Sequence, residues 1–189
     1  FGDSVDVIIN SICFLDCVYR MFHYNQISVD SVSATNPASA HYFSNRCLLR
    51  RFRDVGSILK QSWIRPEDLP YYNMAGIHNF KIQGRHLIQS GDPVRMLEHY
   101  FERKYEGNLM DLLDCFSPIN SFKINLNNQK LQDFLVPIIS GKIVCSNDCD
   151  NCNYCTKYAE KIIDAQEIAE MRTLCTQYIE ASDDFNAQV

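Results

Sequence analysis

At 189 residues, with 46% hydrophobic and 12% aromatic side chains, the chain can bury a real core, which excludes disorder as the default reading. A net charge of −5 is unlike that of a generic nucleic-acid binder, although Arg46, Arg50, Arg51 and Arg53 form a local basic patch. No apolar run approaches the ~20 residues that span a bilayer and no signal peptide is visible, so no membrane role is expected and a cytoplasmic setting is.

The chain opens Phe1-Gly2-Asp3 and moves at once into the β-branched run Val5 to Ile9. It reads as the later part of a longer polypeptide or as a processed product. The run itself predicts a strand buried on both faces, ending at Asn10-Ser11. A helix is expected over residues 14–24, with Phe14, Val18, Met21 and Phe22 near one side. From Gln26 to Ser44 the chain is polar, predicting a long mobile loop with Cys47 at its exit. Arg65-Pro66-Glu67-Asp68 is a helix start, because proline suits the first helical position and carboxylates favour the positive end of the helix dipole. Gly76 is the expected cap at its far end.

Asn79 to Gln83 alternates as a strand, with Lys81 on the face opposite Phe80 and Ile82. Asp92-Pro93 opens a helix with Val94, Leu97, Phe101 and Tyr105 on its apolar face, and Gly107 is expected to stop it. A further helix is expected over 128–139, then a cysteine-rich segment, then a helix from Thr156 to about Glu180 and a frayed polar tail from Ser182. Strand, loop, helix, strand, helix is the order of parallel α/β units. So few strands cannot close a barrel, so the chain is expected to be part of one or to pack on something outside this sequence. Residues 1–115 are read as a partial α/β barrel and 116–189 as a helical extension.

Nine cysteines is the outlying number. Four of them, Cys145-x3-Cys149-x2-Cys152-x2-Cys155, fall within eleven residues, too tight to pair off readily as disulfides. Four thiolates so close can wrap one tetrahedral zinc or one cubane iron–sulfur cluster. The segment also contains the C-x3-C-x2-C spacing of radical-SAM proteins, but lies near the C-terminus and has Asp150-Asn151 where an aromatic residue usually precedes the third cysteine. A second constellation is Cys13-x3-Cys17 after the first strand, with Arg20 and His23 beyond and Cys47 further on. Strand ends of α/β folds are where ligands bind. Spacing alone leaves open whether Cys13 and Cys17 are ligands or small core residues. Cys175, spaced with Met171 and Tyr178, reads as packing, and Trp63 as a core anchor.

Asn10-x2-Cys13-x3-Cys17-x2-Arg20-x2-His23, then Cys47, then Trp63-Ile64-Arg65-Pro66-Glu67-Asp68-Leu69, then Phe80-Lys81-Ile82-x-Gly84-Arg85, resemble the collagenase-like peptidase family U-32. Tyr105-Glu106-Gly107-Asn108-Leu109 and Cys152-Asn153-Tyr154-Cys155 are similar to C-terminal stretches of some members, so the likeness covers most of residues 5–165. The resemblance implies the C-terminal part of a (β/α) TIM-type barrel, whose first strands precede Phe1, followed by a helical, cysteine-rich metal-binding tail. It implies a four-iron four-sulfur cluster on Cys13, Cys17 and Cys47, and pocket roles for Arg20, His23, Arg65, Glu67, Lys81 and Arg85. A second metal, zinc or iron–sulfur, is expected at Cys145, Cys149, Cys152 and Cys155. Some members support oxygen-independent hydroxylation of RNA bases or of a ubiquinone precursor, while others are named proteases. Val18 departs from the proline that often follows the second cysteine, and no fourth ligand matches the first three.

The reading is therefore an iron–sulfur protein supporting hydroxylation or a related modification, acting on an anionic small molecule or RNA. The expected partner is a missing N-terminal barrel portion, another subunit or a second copy. The alternatives are a hydrolase, which no Ser/His/Asp arrangement or His-Glu-x-x-His motif supports, and a zinc-stapled interaction module.

Overall fold

The computed structural model describes residues 5–15, 17–32, 42–83, 92–113 and 123–187. They form a mixed α/β protein rich in helix, with two small sheets. No helix among them is long and apolar enough to cross a membrane.

Strand β1 (Asp6–Ile8) pairs in parallel with β4 (Asn79–Lys81), Val7 opposite Phe80, as the strand-helix-strand order predicts. It is not buried on both faces. Val5 and Ile8 remain 39% and 37% exposed, because among the described residues β4 is the only strand beside β1. The chain also does not leave the sheet at Asn10. Strand β2 (Asn10–Phe14) follows and pairs antiparallel with β3 (Gln61–Trp63) across an irregular register. Ile9 links the two sheets: its N–H donates to Lys81 O at 3.1 Å and its carbonyl accepts from Ile64 N at 2.9 Å. The buried Asn10 carboxamide continues the pairing, exchanging two 2.9 Å bonds with the backbone of Gln83. A side chain here takes the place of a ladder bond, which periodicity does not reveal.

The helix expected over 14–24 is displaced. Phe14 lies in β2, and α1 runs Arg20–Val32 with Met21 and Phe22 each 67% exposed. The loop expected over 26–44 is helical at both ends, in α1 and in α2 (Tyr42–Arg53); residues 33–41 lie outside the described part. Polar composition forecasts exposure, but with no Gly or Pro in 20–32 the helix simply continues.

A 3-10 turn over Val55–Lys60 buries Gly56 to Leu59, and the Trp63 indole donates to Ile58 O at 2.9 Å, anchoring the core as expected. A second 3-10 turn, Pro66–Asp68, leads into α3 (Leu69–Met74). Gly76 (φ +83°) ends it: its N–H bonds Asn73 O and Ile77 N bonds Tyr72 O, a left-handed helix cap. In α4 (Pro93–Glu102) Asp92 caps Arg95 N at 3.0 Å as predicted. The helix stops at left-handed Arg103, not at Gly107. The expected face is also the wrong one, since Val94 and Phe101 are 63% and 83% exposed while Met96 and Tyr100 are buried. The helix has two apolar stripes, and the docked one carries a hydroxyl that reaches Ile64 O at 2.7 Å.

After α5 (Leu109–Leu113), the helix expected over 128–139 is two pieces, a 3-10 turn at Asn128–Leu131 and α6 (Val136–Ile139). Pro137 has no N–H to continue the ladder. Helices α7 (Cys149–Cys152), α8 (Tyr154–Ile162) and α9 (Ala165–Ala187) complete the chain. The single helix expected over 156–180 is broken at Asp164, whose side chain accepts from Gln166 N at 2.7 Å, and α9 runs on through most of the expected tail. One buried cluster among the described residues joins Ile9, Leu48, Ile58 and Tyr100 to Leu131, Ala159, Ile162 and the fully buried Cys175. Gly56 shows how closely the two parts fit: a Cβ there would stand 2.3 Å from Thr156 Oγ1 and 2.6 Å from Thr156 Cα.

Candidate metal centres

Two cavities are lined by cysteine. The first lies where β2 ends. Cys13 on β2, Cys17 in the turn before α1 and Cys47 on α2 line one cavity of about 100 Å³ with Arg20, His23, Tyr24 and Arg51. Three elements must be held together for this, and arginines hold them. An Nη of Arg20 donates to Phe14 O and, at 3.3 Å, to Leu15 O, fixing the start of α1 on the end of β2. Arg51 donates from its own Nη to Ile12 O at 3.1 Å, fixing α2 on the same strand. The Arg50 guanidinium lies 4.3 Å from the Phe14 ring centre, a cation–π contact that adds to the clamp.

Burial pushes the Cys47 thiol upward, and Arg51 opposes it. Burial lowers the His23 pKa, favouring the neutral imidazole. Its ring packs 5.5 Å from that of Phe43. Tyr24 reaches the Cys13 sulfur at 3.9 Å, and burial, then Cys13, push its hydroxyl pKa up.

The second cavity, about 30 Å³, is lined by Cys145, Cys149, Cys152 and Cys155 with Lys60, Ile138, Ile143 and Tyr154. Left-handed Asn147 and Asn153 turn the backbone on either side of α7. Cys152 N donates to Asp148 O at 3.1 Å and Asn153 N to Cys149 O at 3.0 Å, so the thiols sit on one tight coil. Tyr154 fastens the coil to the body, stacking on Phe134 with ring centres 5.6 Å apart and donating to Phe134 O at 2.7 Å. The Cys155 thiol is pushed up to about 11 by burial, with Lys60 opposing and the other three cysteines reinforcing it. A metal entering here displaces that proton.

As the chain stands, no three His, Cys, Asp or Glu side chains among the described residues are gathered tightly enough to hold a metal ion. The thiols face common cavities without converging on one point. The donor set of the first cavity nonetheless fits an anionic, sulfur-ligated group. Arg20 and Arg51 line that cavity beside the three thiols, and Arg51 already favours the ionised form of Cys47, so an anionic group there meets positive charge.

The remaining candidates lie elsewhere. Arg65 is buried in a two-bond pair with Asp68, both bonds 2.7 Å, and donates to Asn128 O at 3.0 Å. Glu67 accepts from Tyr105 N at 2.7 Å and from Asn128 Nδ2 at 2.9 Å. These two side chains knit the 3-10 turn to the segments around Tyr105 and Asn128 and do not line the thiol cavity. Lys81 is exposed on β4, and Arg85 lies outside the described residues. Arg51, Tyr24 and Lys60 were not foreseen at these sites. Cys47/Arg51 and Arg20/Tyr24 are i,i+4 pairs that share a helix face, a signal that becomes readable once the helices have their true bounds. Lys60 carries no such signal.

Fold and sites together define a mixed α/β protein with two cysteine-lined cavities, one assembled from distant elements and one from a single coil. No family model and no solved structure matches the chain. An uncharacterized protease of Methanocaldococcus jannaschii is 35% identical over 162 residues, which is 85% of this chain and 46% of that protein. This likeness supports a U-32 peptidase-like family for the chain. It spans about half the length of the curated relative it matches.

Proposed function

We propose that this chain is the cluster-holding part of a U-32-type protein, with an iron–sulfur cluster on Cys13, Cys17 and Cys47 and a structural metal on Cys145, Cys149, Cys152 and Cys155. The observation that carries the reading is one cavity shared by three thiols from separate elements and lined by Arg20 and Arg51. Thiolates on a polynuclear cluster sit around a body of several atoms, which suits thiols that face one cavity without meeting at a point.

The cluster, when bound, supplies one-electron transfer. Arg20 and Arg51 hold the strand and helices around it and offset negative charge. His23, as a neutral imidazole on the cavity wall, can accept a proton from a bound substrate. Among the described residues three cysteines face the cavity, which leaves a place for an anionic substrate beside them. The activity proposed is oxygen-independent hydroxylation or a related modification of an RNA base or quinone precursor, in a cytoplasmic setting. The parallel β1/β4 pair, with Val5 and Ile8 exposed, is consistent with part of a TIM-type barrel covered by another segment, subunit or copy.

Iron, sulfide and zinc analysis of the anaerobically purified chain tests this. Iron with equimolar sulfide, and visible absorption lost in Cys47→Ala, supports the reading; zinc alone at both sites refutes it. The relative's printed name favours a second reading, a protease. Cleavage of a gelatin or casein panel by the metal-free chain would support that instead.

A further inference from the structure

We propose that Tyr24 is a positioning residue of the first thiol site, its hydroxyl donating to the Cys13 sulfur and raising the reduction potential of the cluster held there. The assignment rests on the cluster reading above. Tyr24 lies one turn beyond Arg20 on α1, on the same helix face. Arg20 ties the start of that helix to the carbonyls of Phe14 and Leu15, immediately after Cys13 on the strand. The clamp therefore fixes where Tyr24 falls, and its Oη stands 3.9 Å from Cys13 Sγ, within reach of an O–H···S contact.

Packing alone does not account for the side chain. Tyr24 is 47% exposed and its ring stands 6.4 Å from that of His23, while its polar end is turned to a sulfur. A phenol has one proton to donate, and a metal-bound thiolate is an acceptor with no proton of its own. Partners of ligand atoms orient the ligand, and hydrogen bonds to cluster sulfurs set the potential. The sign follows from charge: the reduced cluster carries one more electron, shared onto its sulfurs, and the donated proton stabilises that state more than the oxidised one. Cys47 instead has Arg51 beside it, so the thiols do not share one environment.

The experiment is a redox titration of the full chain, reconstituted anaerobically with ferrous iron and sulfide, following the paramagnetic signal that Cys47→Ala abolishes. Tyr24→Phe keeps the ring and removes the hydroxyl. Iron and sulfide content should stay unchanged while the midpoint moves negative by about a tenfold change in the redox equilibrium, ~59 mV for one electron. Tyr19→Phe is the control: this residue is similarly exposed, packs 5.8 Å from Phe43 and does not line the cavity, so its midpoint should match the parent. An unmoved midpoint in Tyr24→Phe, or an equal shift in Tyr19→Phe, overturns the assignment. Iron loss in Tyr24→Phe overturns it too, since Tyr24 would then be needed to hold the cluster and not to set its potential. A parent chain that takes up no iron and sulfide instead refutes the cluster reading itself, and the Tyr24 assignment falls with it.

Discussion

The two cysteine cavities reach similar donor sets by opposite routes. The C-terminal one takes four thiols from a single eleven-residue coil, so chain connectivity alone keeps them near one another. The N-terminal one draws on a strand, a turn and a helix, and needs Arg20 and Arg51 to hold these together. Its rim carries two guanidiniums, an imidazole and a phenol, whereas the other has Lys60 as its basic residue. A local site closed by its own backbone suits a structural staple. A site assembled from distant elements, with polar groups to spare, suits chemistry.

If that contrast is right, the sites should fail separately. Cys47→Ala should remove all metal from the first site and leave the second loaded, and Cys152→Ser should do the reverse. Element-resolved analysis of both variants decides it, and one substitution that empties both sites breaks the comparison. Cys152→Ser should also speed proteolysis within α8 and α9, because the proposed metal would tie them to the body.

Gly56→Ala is the next largest effect. Its Cβ would meet the Thr156 backbone at 2.6 Å, where no side-chain rotation relieves the clash. A loss of about 3 kcal/mol is expected in urea unfolding. Because Thr156 follows Cys155, the C-terminal metal should weaken with it while the N-terminal site holds. A stability within error of the parent would mean that the two segments are less closely fitted than described.

Arg51→Gln should lower metal affinity at the first site by about 10-fold or more, the range for groups that support ligands without touching the metal. Competition with a chelator measures this. An equal loss at the C-terminal site would point to general loosening.

The smallest effect concerns His23. Burial depresses its folded pKa below the unfolded value of 6.5, so the unfolded chain binds the proton more readily. The contribution is present above pH 6.5 and is lost as pH falls from there through the folded value. The melting temperature of the metal-free chain should therefore drop on acidification, and less steeply in His23→Gln. Parallel curves would remove His23 as the cause.

Much of the local architecture was legible because it depends on neighbours in sequence. Asp92-Pro93 and Arg65-Pro66-Glu67-Asp68 start helices where capping rules place them, Gly76 ends one, and the runs around Val7 and Phe80 are strands. Boundaries failed where a long-range bond competed: Asn10 stays in a strand through its exchange with Gln83, and α4 docks by Tyr100 because that hydroxyl finds Ile64.

Of the sites, the sequence by itself determined the C-terminal one, since four cysteines on one short coil remain close in any compact fold. It also named Cys13, Cys17, Cys47, Arg20 and His23, and the family resemblance implied that they share a site. The tertiary structure shows how they come to line one cavity, by setting α2 against β2 through Arg51 and Ile12. It also withdrew Arg65 and Glu67 from the pocket, by giving their charges buried partners at Asp68, Tyr105 and Asn128. The physical reason is the same in each case. A residue's type limits what it can bond, but a buried charge takes whichever partner the packing brings within reach, and Asn128, which bonds both Arg65 and Glu67, is more than 60 residues away in sequence.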